Sequence, residues 1–219
     1  SAPTILYFHG FNSSPQSVKG QILARAAALL AHPPRFHLPQ LHHRPAQAMR
    51  EVCAWIDREA PKGRDLTLIG SSLGGFYASV VAERHGCRAV VMNPAVHPAR
   101  DLKGYIGEQT AWHDPDRHFF FRPEYVDELR ALEVGSITRP ERYAAIVAKG
   151  DDIDPDGQIG MFAAKRDFLR VKRDVAIRFA MAYLQVAAGQ AWFGQDKEFA
   201  ATRRKMLAFA RGTNDWRVA

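Results

Sequence analysis

The chain has 219 residues, 47% of them hydrophobic and 24% charged, with a formal net charge of +7. That is enough for one well-buried core in a single domain, and no apolar run approaches the length of a membrane span or forms the basic-then-apolar start of a secretory signal. Basic residues are spread along the chain with acidic ones between them and no nucleic-acid motif, which favours a diffuse solvated surface over a dedicated polyanion site, although the positive field would favour an anionic substrate such as an acyl thioester.

Thr4–Phe8 is a short apolar strand that runs into His9-Gly-Phe-Asn-Ser-Ser-Pro15. A His-Gly pair after a first strand suits an oxyanion hole, which needs two converging N–H donors about 3 Å from a developing negative oxygen. The Phe11 N–H is one candidate; His9 itself reads as a loop-holding residue rather than a catalytic one. Residues 17–30 alternate at helical spacing, 35–38 form a second strand, and Pro45 opens a helix to about Ala60.

Asp65 to Ala78 carries the most information. An apolar run enters Gly70-Ser-Ser72-Leu-Gly74 and leaves in a helical pattern, the layout of a nucleophile elbow with Ser72 at its tip. The Leu73 N–H, at the helix start, is the second oxyanion donor. The bare pattern also fits a glycine-rich turn without chemistry or a phosphate cradle. A helix over 75–85 and a buried strand over 87–92 follow. Strands alternating with helices imply an α/β fold: a three-layer sandwich with a mostly parallel sheet covered on both faces.

Residues 94–139 break the rhythm, mixing Pro and Gly with Tyr105, Trp112, His113, His118 and Phe119 to Phe121. This stretch reads as a cap inserted in a single domain spanning 1–219, its aromatics lining an apolar acyl pocket; a surface excursion with its own small cluster is the alternative. A strand over 142–148 then ends at Gly150-Asp151-Asp152. A triad acid belongs there, Asp151 first and Asp152 second, although acids after glycine also make a solvated turn. Cys53 and Cys87, both in apolar patterns, read as buried thiols of a reducing, cytoplasmic compartment.

Together, His9 to Ser17, Ile69 to Ala78, Asn93-Pro-Ala-Val96 and Arg139-Pro-Glu-Arg-Tyr143 leading to Gly150-Asp151 resemble the small bacterial YqiA-like esterases of the α/β-hydrolase superfamily. The resemblance covers the first two-thirds of the chain. It implies a carboxylesterase acting on short to medium acyl esters through Ser72, with Asp151 as acid, Phe11 and Leu73 as oxyanion donors, and no metal or cofactor. The partner it implies is a small-molecule ester or thioester, not a nucleic acid; it says nothing of oligomeric state.

The departure is at the C-terminus, where the family's Gly-x-Asp-His loop is matched by Gly194-Gln-Asp-Lys197. No histidine follows His118. Lys197 therefore takes the place of the general base, and burial with neighbouring cations would have to lower its pKa by several units before it could act. His97, His113 and His118 are the substitutes in reach of the cap. The competing expectation is a pseudoenzyme that keeps the pocket and binds without turnover. Residues 155–178 look like extra sequence with a basic helical pattern.

Overall fold

The computed structural model describes residues 3–59, 66–112 and 114–148, together with the backbone of 168–171. Among the described residues six parallel strands form the central sheet in the order β2-β1-β3-β4-β7-β8: β1 (Thr4–Phe8), β2 (Arg35–His37), β3 (Leu66–Ser71), β4 (Arg88–Met92), β7 (Tyr143–Ala148) and β8 (Phe168–Val171). Every residue of β1, β3 and β4 is buried, which is why these strands read as continuous apolar runs rather than alternating ones.

Helices α1 (Val18–Ala28), α2 (Pro45–Glu59) and α3 (Leu73–His85) make the first crossovers. The chain moves outward from β1 to β2, then back past β1 to β3. With right-handed crossovers this reversal puts α1 on one face and α2 and α3 on the other, where both helices share the main apolar cluster. The loops after β1 and β3 diverge at that reversal. In open α/β sheets such a switch point leaves a crevice beyond the strand ends, and the two loops flanking it here are the two picked out by their motifs.

Local chemistry sets the helix ends. The Ser17 hydroxyl accepts from the Gly20 N–H at 3.3 Å, so Ser17 caps α1 instead of lying within it. Pro45 opens α2, where its missing N–H costs nothing. Helix α3 begins directly after Ser72, earlier than expected, and stops at Gly86 in a left-handed conformation (φ 66°). The Arg139 to Tyr143 motif closes that end: Arg139 and Arg142 donate to the carbonyls of Glu83 and Gly86, and the Tyr143 hydroxyl donates to Glu83 Oε1 at 2.7 Å. Cations on the last carbonyls of a helix are favourable, so this motif fastens α3 to the start of β7.

Between β4 and β7 the chain is more regular than its sequence suggests. It holds α4 (Pro98–Asp101), an antiparallel hairpin of β5 (Gly107–Ala111) and β6 (Asp114–Phe121), and α5 (Pro123–Leu132). The hairpin carries the exposed Trp112 and Phe120, whereas Phe121, Tyr125, Val126 and Leu129 join the main core. Glu128 of α5 accepts from Arg44 Nε at 2.8 Å and from the Ala46 N–H at 3.0 Å, placing a carboxylate at the N-terminus of α2.

Two expectations need correction. Residues 168–171 of the stretch read as basic and helical form β8, paired in parallel with Ala145 to Ala148, because the open edge of β7 outweighs local propensity. Cys53 is only partly buried, on the rim of α2, while Cys87 is buried and its thiol is pushed up to about 12, chiefly by desolvation. A thiol reagent at neutral pH should therefore modify Cys53 in the folded protein and Cys87 only with denaturant. Mass spectrometry of the labelled peptides checks this, and equal labelling of both in the native state would contradict the burial of Cys87.

Candidate active site

Ser72 sits between β3 and α3 with φ 56° and ψ −120°, a conformation that side-chain-bearing residues rarely adopt. Its neighbours hold it there. The Ser72 N–H donates to the Met92 carbonyl at 3.0 Å, and the Ser72 carbonyl accepts from Gly75, Phe76 and Ala95 at 2.9, 3.2 and 3.0 Å. A Cβ on Gly74 would collide with the Phe8 carbonyl, and one on Gly70 with the Gly74 carbonyl. The two glycines of the motif are thus required by backbone packing between β1, β3 and α3, whatever the serine does.

Asn93-Pro-Ala-Val96 is part of the same construction. Asn93, at φ 43°, donates its N–H to Ile146 at 2.8 Å, and Pro94 lies so near Gly75 that a Cβ there would come within 2.9 Å of it. Ala95 supplies the hydrogen bond to the Ser72 carbonyl already noted. The motif braces the elbow from the β4 side.

From the β1 side comes the His9 to Ser14 loop. A Cβ on Gly10 would stand 3.5 Å from Ser72 Cβ, so the loop passes directly over the serine. Asn12 adopts φ 55°, which asparagine tolerates, and its Nδ2 donates to Gln109 Oε1 at 3.2 Å while its carbonyl accepts from the Trp112 N–H at 2.9 Å. The Phe11 ring meets Tyr105, Phe119 and Phe121 edge to face at centroid distances of 5.5, 6.1 and 5.3 Å. The Phe11 backbone is therefore set by the hairpin as well as by β1.

No turn or loop hydrogen bond among the described residues uses the Phe11 N–H. The Leu73 N–H belongs to the first turn of α3 and has no acceptor within its helix. Ser72 Oγ likewise makes no hydrogen bond among the described residues.

His9 is buried and engaged at both ring nitrogens. Nε2 accepts from the Leu41 N–H at 3.0 Å, so the proton rests on Nδ1, which donates to the Gly10 carbonyl at 2.9 Å. Burial first, and then Arg117, hold its pKa below the ordinary value of 6.5. This neutral imidazole fixes the loop, and it has no nitrogen left for proton transfer at Ser72.

A cavity of about 380 Å³ opens beside these groups, walled by residues 9–13, residues 40–43, Leu73, Tyr77 and Arg117 to Phe119 of the hairpin. Ser72 lies at its edge, between the wall residues Gly10 and Leu73, rather than on the wall. Of the histidines between β4 and β7, His118 faces this cavity with Nδ1 3.1 Å from Thr110 Oγ1, and His97 pairs with Glu133 at 3.8 Å. His113 lies outside the described residues, as do Asp151 and Lys197. Strand β7 is described to Ala148.

Three groups escaped the sequence reading. His42 and His43 reach the cavity wall, with His43 stacked on Phe119 at 4.9 Å and held below its ordinary pKa by burial and by His42, Arg117 and Arg122. Lys19 Nζ donates to Ser71 Oγ at 3.2 Å, which brings a cation next to the residue before Ser72. None carries a motif; only the folding of α1 and of the loop after β2 toward the switch point brings them there.

A model of the uncharacterised protein family UPF0227, the YqiA-like family, matches residues 4–187. The chain belongs to this family. The match runs further than the first two-thirds and includes the stretch read as extra sequence, but it stops before Gly194 to Lys197. Solved structures agree on the fold. Est1E from Butyrivibrio proteoclasticus superposes with a TM-score of 0.60 at 10% identity, covering 87% of this chain and 88% of its own. Alpha/beta hydrolase domain-containing protein 10 from mouse gives 0.58 at 14%, covering 83% and 87%. The esterase domain of a Rhodothermus marinus protein gives 0.53 at 20%, covering 92% and 87%. The fold is that of the α/β-hydrolases.

Two measurements probe this construction. Gly74→Ala should cost about 2–4 kcal/mol in chemical denaturation, because the clash is with backbone that cannot swing away; a variant of native stability would show that the turn is looser than described. His9 contributes through its depressed pKa: its share of stability is complete above about pH 6.5 and is lost as pH falls, because the unfolded chain binds the proton first. The melting temperature should drop between about pH 7 and about pH 5, and less steeply in His9→Gln. Parallel profiles would count against this account of His9.

Proposed function

We propose that this chain is a serine hydrolase of the carboxylesterase type, cleaving short to medium acyl esters or thioesters through an acyl-enzyme on Ser72. The observation that supports this most is the strained Ser72, held at φ 56° beneath the Gly10 loop and beside the cavity. A turn that only joined a strand to a helix would not need that strain. One of the similar structures, that of the Rhodothermus marinus protein, is named as an esterase domain, which fits the reading, although a shared fold does not choose a substrate.

In this mechanism Ser72 Oγ attacks the ester carbonyl and loses its proton to a base. The tetrahedral oxyanion is held by the Phe11 and Leu73 N–H groups, the alkoxide or thiolate leaves with the proton, and water reverses the sequence to free the acid. Asp151 is the acid that orients the base, and Lys197 stands where the base is expected. The 94–139 segment serves as the cap over the acyl pocket, within a single domain. Two unpaired thiols suit a reducing, cytoplasmic setting.

A second reading, a binding protein that has lost turnover, is favoured by one observation: no histidine among the described residues bonds Ser72, and no histidine follows His118. One experiment separates the two. Hydrolysis of p-nitrophenyl butyrate should be measurable in the unmodified chain and fall by about 10⁴-fold in Ser72→Ala, whereas turnover that appears only in Lys197→His would mark a retained site that has lost its base. Turnover indifferent to Ser72→Ala would sink the acyl-enzyme. Silence in every variant would favour the binding protein.

A further inference from the structure

The hydrolytic scheme leaves the polar side of the cavity without a task. Arg117 stands there on β6, with Nη1 donating to Gln40 Oε1 at 2.8 Å. Gln40 cannot easily turn, since its Nε2 is 3.1 Å from the Leu41 carbonyl and 3.2 Å from His9 Nε2. The amide oxygen is thereby aimed at the guanidinium, and Arg117 is fastened through Gln40 to the loop that passes over Ser72. No carboxylate pairs with Arg117 among the described residues.

A guanidinium offers five N–H donors in one plane, and the amide oxygen occupies one position of that fork. Its charge is felt in the cavity: it contributes to keeping both His9 and His43 below their ordinary pKa. His42, His43 and His118 also line the cavity and add further donor capacity there. The opposing group is Glu51 of α2, a wall residue whose Oε1 accepts from Gln47 at 2.7 Å. A neutral acyl chain would leave this fork and these imidazoles without purpose, whereas a carboxylate or phosphate would match the fork with two parallel hydrogen bonds.

We propose that Arg117, aimed by Gln40, is an oxyanion-binding subsite of the cavity, and that the esters taken by this chain carry a carboxylate or phosphate away from the reacting carbonyl. The ester half rests on the hydrolase reading; the subsite does not.

Calorimetric titration with glutarate, methyl phosphate and neutral glutaramide tests the subsite, using the unmodified chain, Arg117→Gln and Glu51→Gln. At least one of the two anions should bind, about tenfold or more weaker in Arg117→Gln and several-fold tighter in Glu51→Gln. The tighter of the two names the anion. Glutaramide binding as tightly as glutarate, or anion affinities indifferent to Arg117→Gln, would overturn the subsite. Alongside, kcat/KM for p-nitrophenyl hemiglutarate is compared with that for p-nitrophenyl valerate, and the anionic ester should be preferred only while Arg117 is present. Arg117-dependent anion binding without turnover of either ester would keep the subsite and sink the hydrolase reading. Turnover of both without an Arg117-dependent preference would keep the hydrolase reading and overturn the claim that its esters carry a remote anion.

Discussion

The close approach of three backbones at the end of β3 is the constraint on which the rest depends. Gly74 rides on the Phe8 carbonyl, Gly70 on the carbonyl of Gly74, and Ser72 is left at φ 56° with its own N–H tied to Met92. A residue in that region of backbone space costs on the order of 1–3 kcal/mol and persists only where its surroundings over-determine it. Here they do so from both sides, through the His9 loop after β1 and through Asn93 to Val96 after β4. Three sequence motifs, the His9 loop, Gly70 to Gly74 and Asn93 to Val96, therefore converge on one turn.

That convergence divides the labour among residues that look alike in the sequence. In the sequence His97, His113 and His118 are the candidates for proton transfer, whereas His9 reads as a loop-holding residue. In the fold, His9 is spent on the backbone of Gly10 and Leu41, and His97 is drawn to Glu133, while His118 faces the cavity. Burial first, and then neighbouring cations, hold the pKa of His9 and of His43 below the ordinary value. The cavity thus combines hydrogen-bonding side chains with two charged wall residues, Arg117 of the hairpin and Glu51 of α2.

The hairpin is what gives that cavity its second wall. Its aromatics are not a free-standing patch: Phe119 and Phe121 close on Phe11, and Phe121 continues into the core with α5. Because the Phe11 ring is gripped by the hairpin while its backbone belongs to the loop over Ser72, movement of the hairpin would be felt at the loop. The Asn12 to Gln109 and Trp112 hydrogen bonds add a second coupling between the same two elements.

The sequence by itself determined the sheet and the elbow, because both are written in short-range terms. Fully apolar runs of about five residues mark strands buried on both faces, Pro45 and Gly86 mark helix ends, and Gly70-x-Ser72-x-Gly74 marks a turn too tight for side chains. The family motifs were legible for the same reason, and the fold explains two of them: Asn93 to Val96 braces Ser72, and Arg139 to Tyr143 caps α3. Only the tertiary structure decided which polar residues share the cavity. Gln40, His42, His43 and Arg117 come from two separated parts of the chain and meet at the cavity through the loop after β2 and the hairpin, so no local period or spacing records their meeting. The pairing of β8 was hidden likewise, since a strand at a sheet edge owes its conformation to the hydrogen bonds of its neighbour more than to its own residues.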